Sequence, residues 1–426
     1  MIILCGKGMF RVIETFSGLG AQAKALERIG VEHSIVNTCD WDIGAIIAYY
    51  LIHKDGESIN KYKGVTDAEV NEFLGSKTLS ITGKKPMNEK TLNKMSLAVK
   101  RLLYAAIKES NNLVSITDVK GKYIPESIDL LTYSFPCQDL SMCGYWHGNK
   151  SGISREAHNR SGMLWEVERI LQEMREHGVK LPHFLVMENV TNILSTTHKA
   201  DFDDWKSTLE SLGYYNKIYR LNAKNFGVPQ KRERAYMISI LCNQDIEKIM
   251  HVCKYFEEND LQDIKVATRY TDREFKLKDV LRLDYSIKAY REEADAGQPN
   301  DTPSREKIFY DNDMLFDGKS INEIYVNTVT TKQDRNPNSG LVFYDNGLPG
   351  KTKWRYLTPR ECFMLMGFDE RDFDVIVQNN CECLPGKMLF SNEKLIKLAG
   401  NSICVDVLEA IFKQIIEIND VLFAQS

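Results

Sequence analysis

Apolar and polar positions follow two alternating patterns over residues 10–243. Short apolar runs such as FRVIETF, IDLLTYSF, HFLVMENV and RAYMISIL are typical of buried strands. Segments such as AQAKALERIG and MLWEVERILQEMREHG lie between them and place apolar residues at helical spacing. Strands that alternate with helices form parallel βαβ units. The pattern therefore predicts an α/β fold with a doubly wound, mostly parallel sheet.

Two segments depart from this alternation. Residues 53–112 are polar and helical in pattern, and we interpret this inserted segment as an extension of the scaffold. Covering a cofactor and binding a partner are the alternatives. Residues 244–390 contain a long polar stretch with short strand-like pieces, which predicts a second, smaller and irregular domain. An amphipathic helix over 391–426 is expected to complete the first domain, 10–243.

Composition narrows the class of protein only slightly. The formal net charge is −4 and the pI about 6.1, which does not predict a uniformly basic surface but leaves room for a local basic cleft. The 10 cysteines follow no disulfide-like spacing, so we expect a reduced, cytoplasmic protein. Cys381 and Cys383 lack a second pair at zinc spacing, and we predict no metal site. No apolar run is long enough to predict a membrane span.

The stretch ETFSGLGAQ is a candidate ligand-binding turn. A strand, a glycine turn and a helix start follow each other there, which leaves backbone N–H groups free to bind. The turn lacks the full dinucleotide spacing and the P-loop lysine, so a purely structural turn fits equally well. Asp40 ends the next strand, where a carboxylate can accept hydrogen bonds from ribose hydroxyls, and Trp41 can stack on a base. A helix cap and a core aromatic are the simpler interpretations, but together these features favour an adenosine-type ligand without phosphates.

Three further strand ends carry candidate chemistry. Cys137 follows a proline at the end of a buried run, which is where ligands bind in open α/β sheets. Glu188 ends another buried strand, and a carboxyl group in a desolvated pocket can donate a proton. Asn189 beside it is a helix cap or a supporting residue. Asp118 is available to an adenine amino group, although a turn aspartate is the simpler interpretation.

The stretch FGVPQKRERAYMISI places Gln230, Arg232 and Arg234 at alternate positions of a strand. Side chains at alternate positions share one face. Two guanidinium groups that point the same way repel each other, so the pattern implies an anionic partner such as phosphate. A solvated, charged edge strand is the competing interpretation.

Seven motifs in order resemble those of the DNA (cytosine-5)-methyltransferases. They are FSGLGA, CDWD, PCQ, ENV, QKRER, RYLTPRECFMLMGF and AGNSICVDVL. Each motif alone is unspecific, but seven in the same order are not expected by chance. The resemblance covers nearly the whole chain apart from the inserted segment and the polar stretch.

The resemblance implies how the site works. Cys137 would add to carbon 6 of cytosine and make carbon 5 reactive, while Glu188 contacts ring nitrogen 3. Arg234 would hold the exocyclic oxygen of the base, and Arg232 would approach phosphate. Because the target base is unreachable inside a duplex, it would have to flip out. The implied further substrate contacts are Gln138, Asn189 and Gln230.

The resemblance also implies S-adenosylmethionine as the cofactor. Its implied neighbours are Phe16, Ser17, Gly18, Leu19, Gly20, Asp40, Trp41, Asp118, Pro136, Asn401 and Ser402. One departure is Leu398, which stands where a glutamine is common in the family. Another is the long gap between Asp40 and Asp118, which makes the position of the latter depend on the inserted segment.

The expected function is methylation of cytosine in duplex DNA by an enzyme of a bacterial or phage modification system. Residues 244–390 would read the DNA sequence, since sequence reading needs surface. We expect a monomer, and a separately acting cognate restriction endonuclease is compatible with this function. The alternatives are a tRNA cytosine-5 methyltransferase and a catalytically silent, DNA-binding relative.

Overall fold

The computed structural model describes residues 9–54, 57–136, 161–335 and 338–423. The chain forms two compact units. The first contains Met1–Leu221, Glu233–Tyr270 and Leu408–Ser426, and the second contains Asn222–Arg232 and Thr271–Val407. Residues 244–270 thus group with the first unit and residues 391–407 with the second. The assignment of separate roles to the predicted domains stays a prediction.

A six-stranded sheet organises the first unit. The strands up to residue 241 are β1 (Phe10–Thr15), β2 (His33–Cys39), β3 (Leu130–Tyr133), β4 (Phe184–Val190), β5 (Tyr214–Asn222), β6 (Gln230–Lys231) and β7 (Glu233–Leu241). The sheet order is β2-β1-β3-β4-β7-β5. The pairs β1–β2, β1–β3 and β3–β4 are parallel, whereas β4–β7 is antiparallel. The predicted mostly parallel α/β sheet is confirmed.

Helices of the first unit connect these strands. They are α1 (Ala21–Arg28), α2 (Ile43–His53), α3 (Asp67–Gly75), α4 (Glu89–Lys94), α5 (Leu97–Glu109), α6 (Leu164–Glu176), α7 (Lys199–Ser211), α8 (Ile246–Glu258) and α9 (Ile264–Arg269). The apolar face of α6 packs with Trp205 of α7 in one core cluster with side chains of β3 and β4. The Trp205 indole N–H donates to the Tyr133 hydroxyl (3.1 Å), so the buried indole keeps a hydrogen-bond partner.

The inserted segment contains α3, α4 and α5, and its helices begin at recognisable caps. Thr66 and Glu69 form a capping box at the start of α3. Asn88 and Ser96 accept backbone N–H groups at the starts of α4 and α5. The apolar face of α5 lies against α2, and this contact joins the segment to the sheet unit.

The second unit has short elements of weak regularity, as predicted. Its helices are α10 (Leu277–Val280), α11 (Lys288–Gly297), α12 (Pro303–Asp311), α13 (Pro359–Leu365), α14 (Glu370–Gln378) and α15 (Asn392–Asn401). Its remaining strands are β8 (Met314–Phe316), β9 (Val326–Asn327), β10 (Leu341–Phe343), β11 (Trp354–Tyr356), β12 (Glu382–Leu384) and β13 (Lys387–Met388). A last helix, α16 (Val405–Leu422), continues the chain from the second unit into the first.

A buried ion pair lies in the second unit. The Arg355 guanidinium donates to both carboxylate oxygens of Glu361 at 2.8 Å, and neither side chain is exposed. Glu361 also accepts from the backbone N–H of Thr358, which caps α13. The pair joins β11 to α13, and the Arg355 guanidinium holds the pKa of the Glu361 carboxyl below its usual range even though burial raises it. Within the part of the chain that the structure describes, no helix is long and apolar enough to cross a membrane.

Candidate active site

An ion pair joins the ends of two neighbouring strands of the first unit. Glu188 lies near the end of β4 and Arg234 near the start of β7, where the antiparallel register brings them together. Arg234 Nε is 3.4 Å from Glu188 Oε1, and the two side chains are only 16% and 11% exposed. Partial burial lowers the effective dielectric, so the guanidinium and the carboxylate hold each other in place.

Asn189 fixes the backbone that follows β3. Its side-chain N–H donates to the Phe135 carbonyl oxygen at 3.1 Å, and its own oxygen accepts from the Val190 N–H at 2.9 Å. The Asn189 side chain is therefore buried and bonded at both ends. Phe135 precedes Cys137 by two residues, so Asn189 anchors the backbone between β3 and the predicted nucleophile.

The predicted nucleophile Cys137 and its neighbour Gln138 lie outside the described residues. Pro136 is described and half-buried, directly after the anchored Phe135. The parallel register of β3 and β4 pairs Tyr133 with Met187, one residue before Glu188. The chain thus enters the undescribed segment beside the strand end that carries Glu188.

The structure corrects the interpretation of Gln230 and Arg232. Gln230 is fully buried in the second unit, where its amide donates to the Leu365 carbonyl and accepts from the Val329 N–H. Arg232 is 4% exposed, and its guanidinium donates to the carbonyls of Val329, Gly400 and Ser402.

The repulsion between two guanidinium groups, from which an anionic partner was predicted, is therefore absent, and a contact with phosphate stays a prediction. The alternate spacing assumes one continuous strand, but β6 ends at Lys231, and Arg232 lies between β6 and β7. Arg232 bonds to backbone carbonyls and Arg234 bonds to Glu188, so the two guanidinium groups have different protein partners. The structure gives Gln230 and Arg232 the role of holding chain segments together.

Left-handed backbone angles characterise the glycine turn after β1. Phe16 has φ 55°, a left-handed value that is uncommon outside glycine, and Gly18 and Gly20 have φ 54° and 78°. The Gly20 N–H donates to the Ser17 carbonyl (2.8 Å), and α1 begins directly after Gly20. Helix α2 supports the loop, because the His53 ring nitrogen Nε2 is 2.9 Å from the Leu19 carbonyl oxygen.

Asp40 joins this turn to the loop between β2 and α2, residues 40–42. Its carboxylate accepts from the Gly18 N–H (3.0 Å) and from the Asp42 N–H (2.8 Å). These two bonds fix the Asp40 carboxylate between the turn and the loop. Trp41 beside it is half-buried.

Asp118 lies exposed in a one-turn helix, Ile116–Asp118. Burial raises the pKa of the Cys39 thiol, and the charges of Asp40 and Asp118 add to this rise. Asp118 thus lies near the end of β2, and its contact with adenine stays a prediction. Val114, just before this turn, has φ 66°, which is a genuine outlier for a β-branched residue.

The closing motif lies at the end of α15 in the second unit. Asn401 is exposed, whereas Ser402 is buried and its carbonyl accepts from Arg232 at 2.8 Å. A methyl group on Gly400 would lie 2.6 Å from the Thr331 backbone nitrogen, so only glycine allows this close approach. Leu398, at the position where the family often has glutamine, is buried.

Glu14 is a titratable residue of this region that the sequence interpretation missed. It lies on β1, two residues before Phe16, and is fully buried. Burial raises the pKa of its carboxyl to about 8, and the Tyr49 hydroxyl nearby only partly offsets this. An acidic residue inside the otherwise apolar run FRVIETF is the signal that marks it.

Comparison with known proteins identifies the family. The model of the C-5 cytosine-specific DNA methylases matches residues 98–417. The chain belongs to the C-5 cytosine-specific DNA methylases. The orphan methyltransferase M.SssI of Spiroplasma monobiae is 33% identical over 95% of this chain and 97% of its own. The type II methyltransferase M2.ScrFI of Lactococcus lactis subsp. cremoris is 33% identical over 96% of this chain and 99% of its own.

Solved structures share the fold of this C-5 cytosine-specific DNA methylase. The Dnmt2 methyltransferase of S. pombe has a TM-score of 0.55 at 16% identity and covers 96% of this chain and 98% of its own. The methyltransferase EhMeth of Entamoeba histolytica has a TM-score of 0.56 at 14% identity, over 96% and 99%. These likenesses show the fold alone.

Family membership confirms the predicted activity and cofactor. As a C-5 cytosine-specific DNA methylase, the protein is a DNA (cytosine-5)-methyltransferase that depends on S-adenosylmethionine. The residues present fit that cofactor. Gly18 offers a bare backbone, since a methyl group there would meet only the Phe16 oxygen at 3.9 Å. Asp40 supplies carboxylate acceptors and Trp41 an aromatic face, which suit the ribose and the adenine.

Proposed function

We propose that this enzyme methylates carbon 5 of a cytosine flipped out of duplex DNA, through a covalent bond between Cys137 and carbon 6. The observation that carries the proposal is the Glu188–Arg234 pair beside the anchored Phe135 carbonyl. Both features lie at strand ends of one sheet, and Cys137 follows two residues after Phe135. A nucleophile and an acidic group are thus expected near the same edge of the sheet.

In the proposed reaction, each bond that forms is matched by a bond that breaks. The Cys137 thiolate bonds to carbon 6, and the electrons of the ring double bond move to carbon 5. Glu188 in its protonated form donates a hydrogen bond to ring nitrogen 3, which has no hydrogen of its own, and so stabilises the negative charge that develops on the ring. S-adenosylmethionine would supply an electrophilic methyl group to carbon 5, and S-adenosylhomocysteine would leave as the bond between its sulfur and the methyl group breaks. A water molecule then takes the carbon 5 proton, and the electrons of that C–H bond restore the double bond as the Cys137 thiolate leaves carbon 6.

Arg234 and Asn189 have supporting parts in this proposal. Arg234 orients the Glu188 carboxylate and holds the exocyclic oxygen of the base, because its forked guanidinium can serve both acceptors. Asn189 limits the freedom of the backbone before Cys137, which favours an attack geometry held to a few tenths of an ångström. Arg232 is proposed to act by holding the closing motif, not by contacting phosphate.

The roles of the domains, the oligomeric state and the cellular location are also part of the proposal. Residues 10–243 and 391–426 would carry catalysis, and residues 244–390 would recognise the target sequence. We propose a monomer of a modification system, with any cognate endonuclease acting separately. A cytoplasmic location is supported by the seven cysteines in the described ranges, all of which are free.

Methyl transfer to two nucleic acids tests the proposal. Labelled S-adenosylmethionine is incubated with mixed genomic duplex DNA and, separately, with tRNA, and the product nucleosides are identified. We expect 5-methylcytosine in DNA, abolished in Cys137→Ala and reduced about 10²- to 10⁴-fold in Glu188→Gln. Cys253→Ala and Glu233→Gln are the matched controls, since Cys253 is half-buried and the Glu233 carboxylate is exposed.

Each outcome decides between the candidate functions. Label in tRNA alone would overturn the DNA assignment. Full activity of Cys137→Ala would overturn the covalent mechanism. Binding of S-adenosylmethionine without label in any nucleic acid would favour a silent relative.

A further inference from the structure

The inserted segment touches the loop between β2 and α2 (residues 40–42) at two places. The first contact is made by Ser80. Its backbone N–H donates to the Trp41 carbonyl at 2.8 Å, and its carbonyl accepts from the Ile43 N–H at 2.9 Å. Ser80 thereby forms a parallel bridge with Asp42, as a one-residue strand would. The outer edge of the loop is paired by the inserted segment.

Ser80 is itself held in place by a tight turn. Its side chain is fully buried, and its hydroxyl donates to the Lys85 carbonyl at 2.6 Å and accepts from the Gly83 N–H at 3.0 Å. The Met87 N–H closes the far side of the turn by donating to the Leu79 carbonyl at 2.7 Å. The hydroxyl of Ser80 therefore determines where its backbone can lie.

The second contact is made by Asn112, at the exit of the inserted segment. Its side-chain oxygen accepts from the Asp40 N–H at 3.3 Å and from the Val114 N–H at 2.7 Å. Asn112 also bridges Thr38 of β2, where the Leu113 N–H donates to the Thr38 carbonyl at 2.8 Å. The loop is thus bonded to the segment at its first residue as well as at its outer edge.

These contacts determine the position of the groups that face the cofactor. The Asp40 carboxylate reaches the Gly18 N–H from this loop, and the Trp41 ring stands on it. A loop held at both ends loses less conformational freedom when a ligand binds, and binding is then stronger. Between the two contacts, α5 packs along α2, so the segment supports the loop from the helix side too.

We propose that the inserted segment is a positioning element for the cofactor site, in which Ser80 and Asn112 hold the loop between β2 and α2 and so set the affinity for the adenosine part of S-adenosylmethionine. This inference rests on the proposed assignment of Asp40 and Trp41 to the cofactor. It replaces the interpretation of the segment as a mere extension of the scaffold. Neither Ser80 nor Asn112 is proposed to touch the cofactor.

Binding of the product S-adenosylhomocysteine to the full-length protein, measured by calorimetry, tests this inference without catalysis. We expect Ser80→Ala and Asn112→Ala each to raise the dissociation constant about fivefold, the loss typical of one or two backbone-holding hydrogen bonds. In parallel kinetics the KM for S-adenosylmethionine should rise by the same factor, while kcat and the KM for DNA stay within about twofold of wild type.

Thr66→Ala is the matched control. It removes a hydroxyl that caps α3 in the same inserted segment, but that hydroxyl bonds only Glu69. The dissociation constant of Thr66→Ala for S-adenosylhomocysteine should equal that of the wild type. If it rises as much as in Ser80→Ala and Asn112→Ala, the effect comes from a general loosening of the segment, and the inference is overturned. Thermal unfolding verifies that all variants are folded. Ser80→Ala and Asn112→Ala test the inference independently of each other.

Asp40→Ala separates this inference from the proposed function. Weak binding by Asp40→Ala together with wild-type binding by Ser80→Ala and Asn112→Ala would overturn the role of the inserted segment and leave the cofactor site intact. Wild-type binding by Asp40→Ala would overturn the assignment of the loop to the cofactor, and this inference with it.

Discussion

Single residues carry the chemistry that distinguishes this site, and Asn189 is the clearest case of a supporting residue. Its side chain bonds the Phe135 carbonyl on one side and the Val190 N–H on the other. The sequence predicted a capping or supporting role, and the structure adds the segment that Asn189 supports. The role of Asn189 depends on contact between β3 and β4, which are far apart in the chain.

Asn189→Ala should slow methyl transfer without weakening cofactor binding. Loss of the bond to Phe135 lets the backbone before Cys137 move, and a misplaced nucleophile reduces kcat by about tenfold or more. The dissociation constant for S-adenosylhomocysteine should stay unchanged. Calorimetry and single-turnover kinetics measure the two quantities. A change confined to cofactor affinity would contradict the positioning role.

Glu14 predicts a pH dependence of stability. The fold keeps its carboxyl protonated up to about pH 8, whereas the unfolded chain releases the proton near 4.5. The unfolded state therefore binds fewer protons between these values, and the stability of the neutral form, present in full below pH 4.5, is lost as the pH rises toward 8. Desolvation lowers the pKa of half-buried His53 from 6.5 to about 4, so His53 changes the stability only below about pH 6.5.

Glu14→Gln should remove this dependence. Between pH 6.5 and pH 8 the free energy of unfolding of the wild type should fall by about 2 kcal/mol relative to the variant. Chemical denaturation at the two pH values measures the difference. Glu126→Gln, at an exposed carboxylate, serves as the control. Parallel pH profiles of the wild type and Glu14→Gln would show that Glu14 is ionised in the fold.

At the scale of elements, helix α2 and the glycine turn form one supporting unit. His53 bonds the Leu19 carbonyl, and its ring lies 4.7 Å from that of Tyr49. A methyl group on Gly20 would lie 2.6 Å from a Tyr49 ring carbon, closer than carbon atoms approach. The turn therefore needs glycine for two reasons, its φ of 78° and the two rings beside it.

Gly20→Ala should destabilise the fold and weaken cofactor binding. The clash and the left-handed backbone together should lower the free energy of unfolding by about 2–4 kcal/mol. Gly30→Ala is the matched control, because Gly30 has φ 69° but no atom within 4 Å of the added methyl group. Urea denaturation of both variants separates the backbone cost from the clash. Equal losses in the two variants would remove the clash as a cause.

Helical periodicity predicts only part of the structure of the inserted segment. Helical patterning predicts α5, and the TDAE spacing matches the Thr66 capping box of α3. Patterning cannot predict the one-residue pairing of Ser80 with Asp42, because a single bridge has no period. The proposed function of the segment therefore rests on contacts between loops, which periodicity does not predict.

For the whole molecule, the negative net charge opposes binding of the negatively charged substrate. The chain carries a net charge of −4, yet its substrate is a polyanion. Binding then depends on a minority of basic groups gathered where the phosphates lie, with the acidic excess elsewhere. Each phosphate contact releases a counterion, and that release depends on salt.

Affinity for duplex DNA should fall steeply as salt rises. With about four to six phosphate contacts, the logarithm of the binding constant should fall with a slope of about −4 to −5 against the logarithm of the salt concentration. Fluorescence anisotropy with labelled duplex DNA between about 50 and 200 mM salt measures the slope. A flat response would contradict recognition through the DNA backbone.

The family, the cofactor, the methylation of DNA cytosine and the mostly parallel sheet are all predictable from the sequence. These follow from local patterns: apolar periodicity sets strands and helices, and short motifs keep their residue types in order. Contacts between distant residues are visible only in the tertiary structure: Gln230 and Arg232 bind backbone carbonyls, Arg234 pairs with Glu188, and the inserted segment bonds the loop between β2 and α2. These contacts join residues that are far apart in the sequence. Arg232, for example, bonds a carbonyl 170 positions away. No local sequence pattern indicates which distant group binds a buried charge.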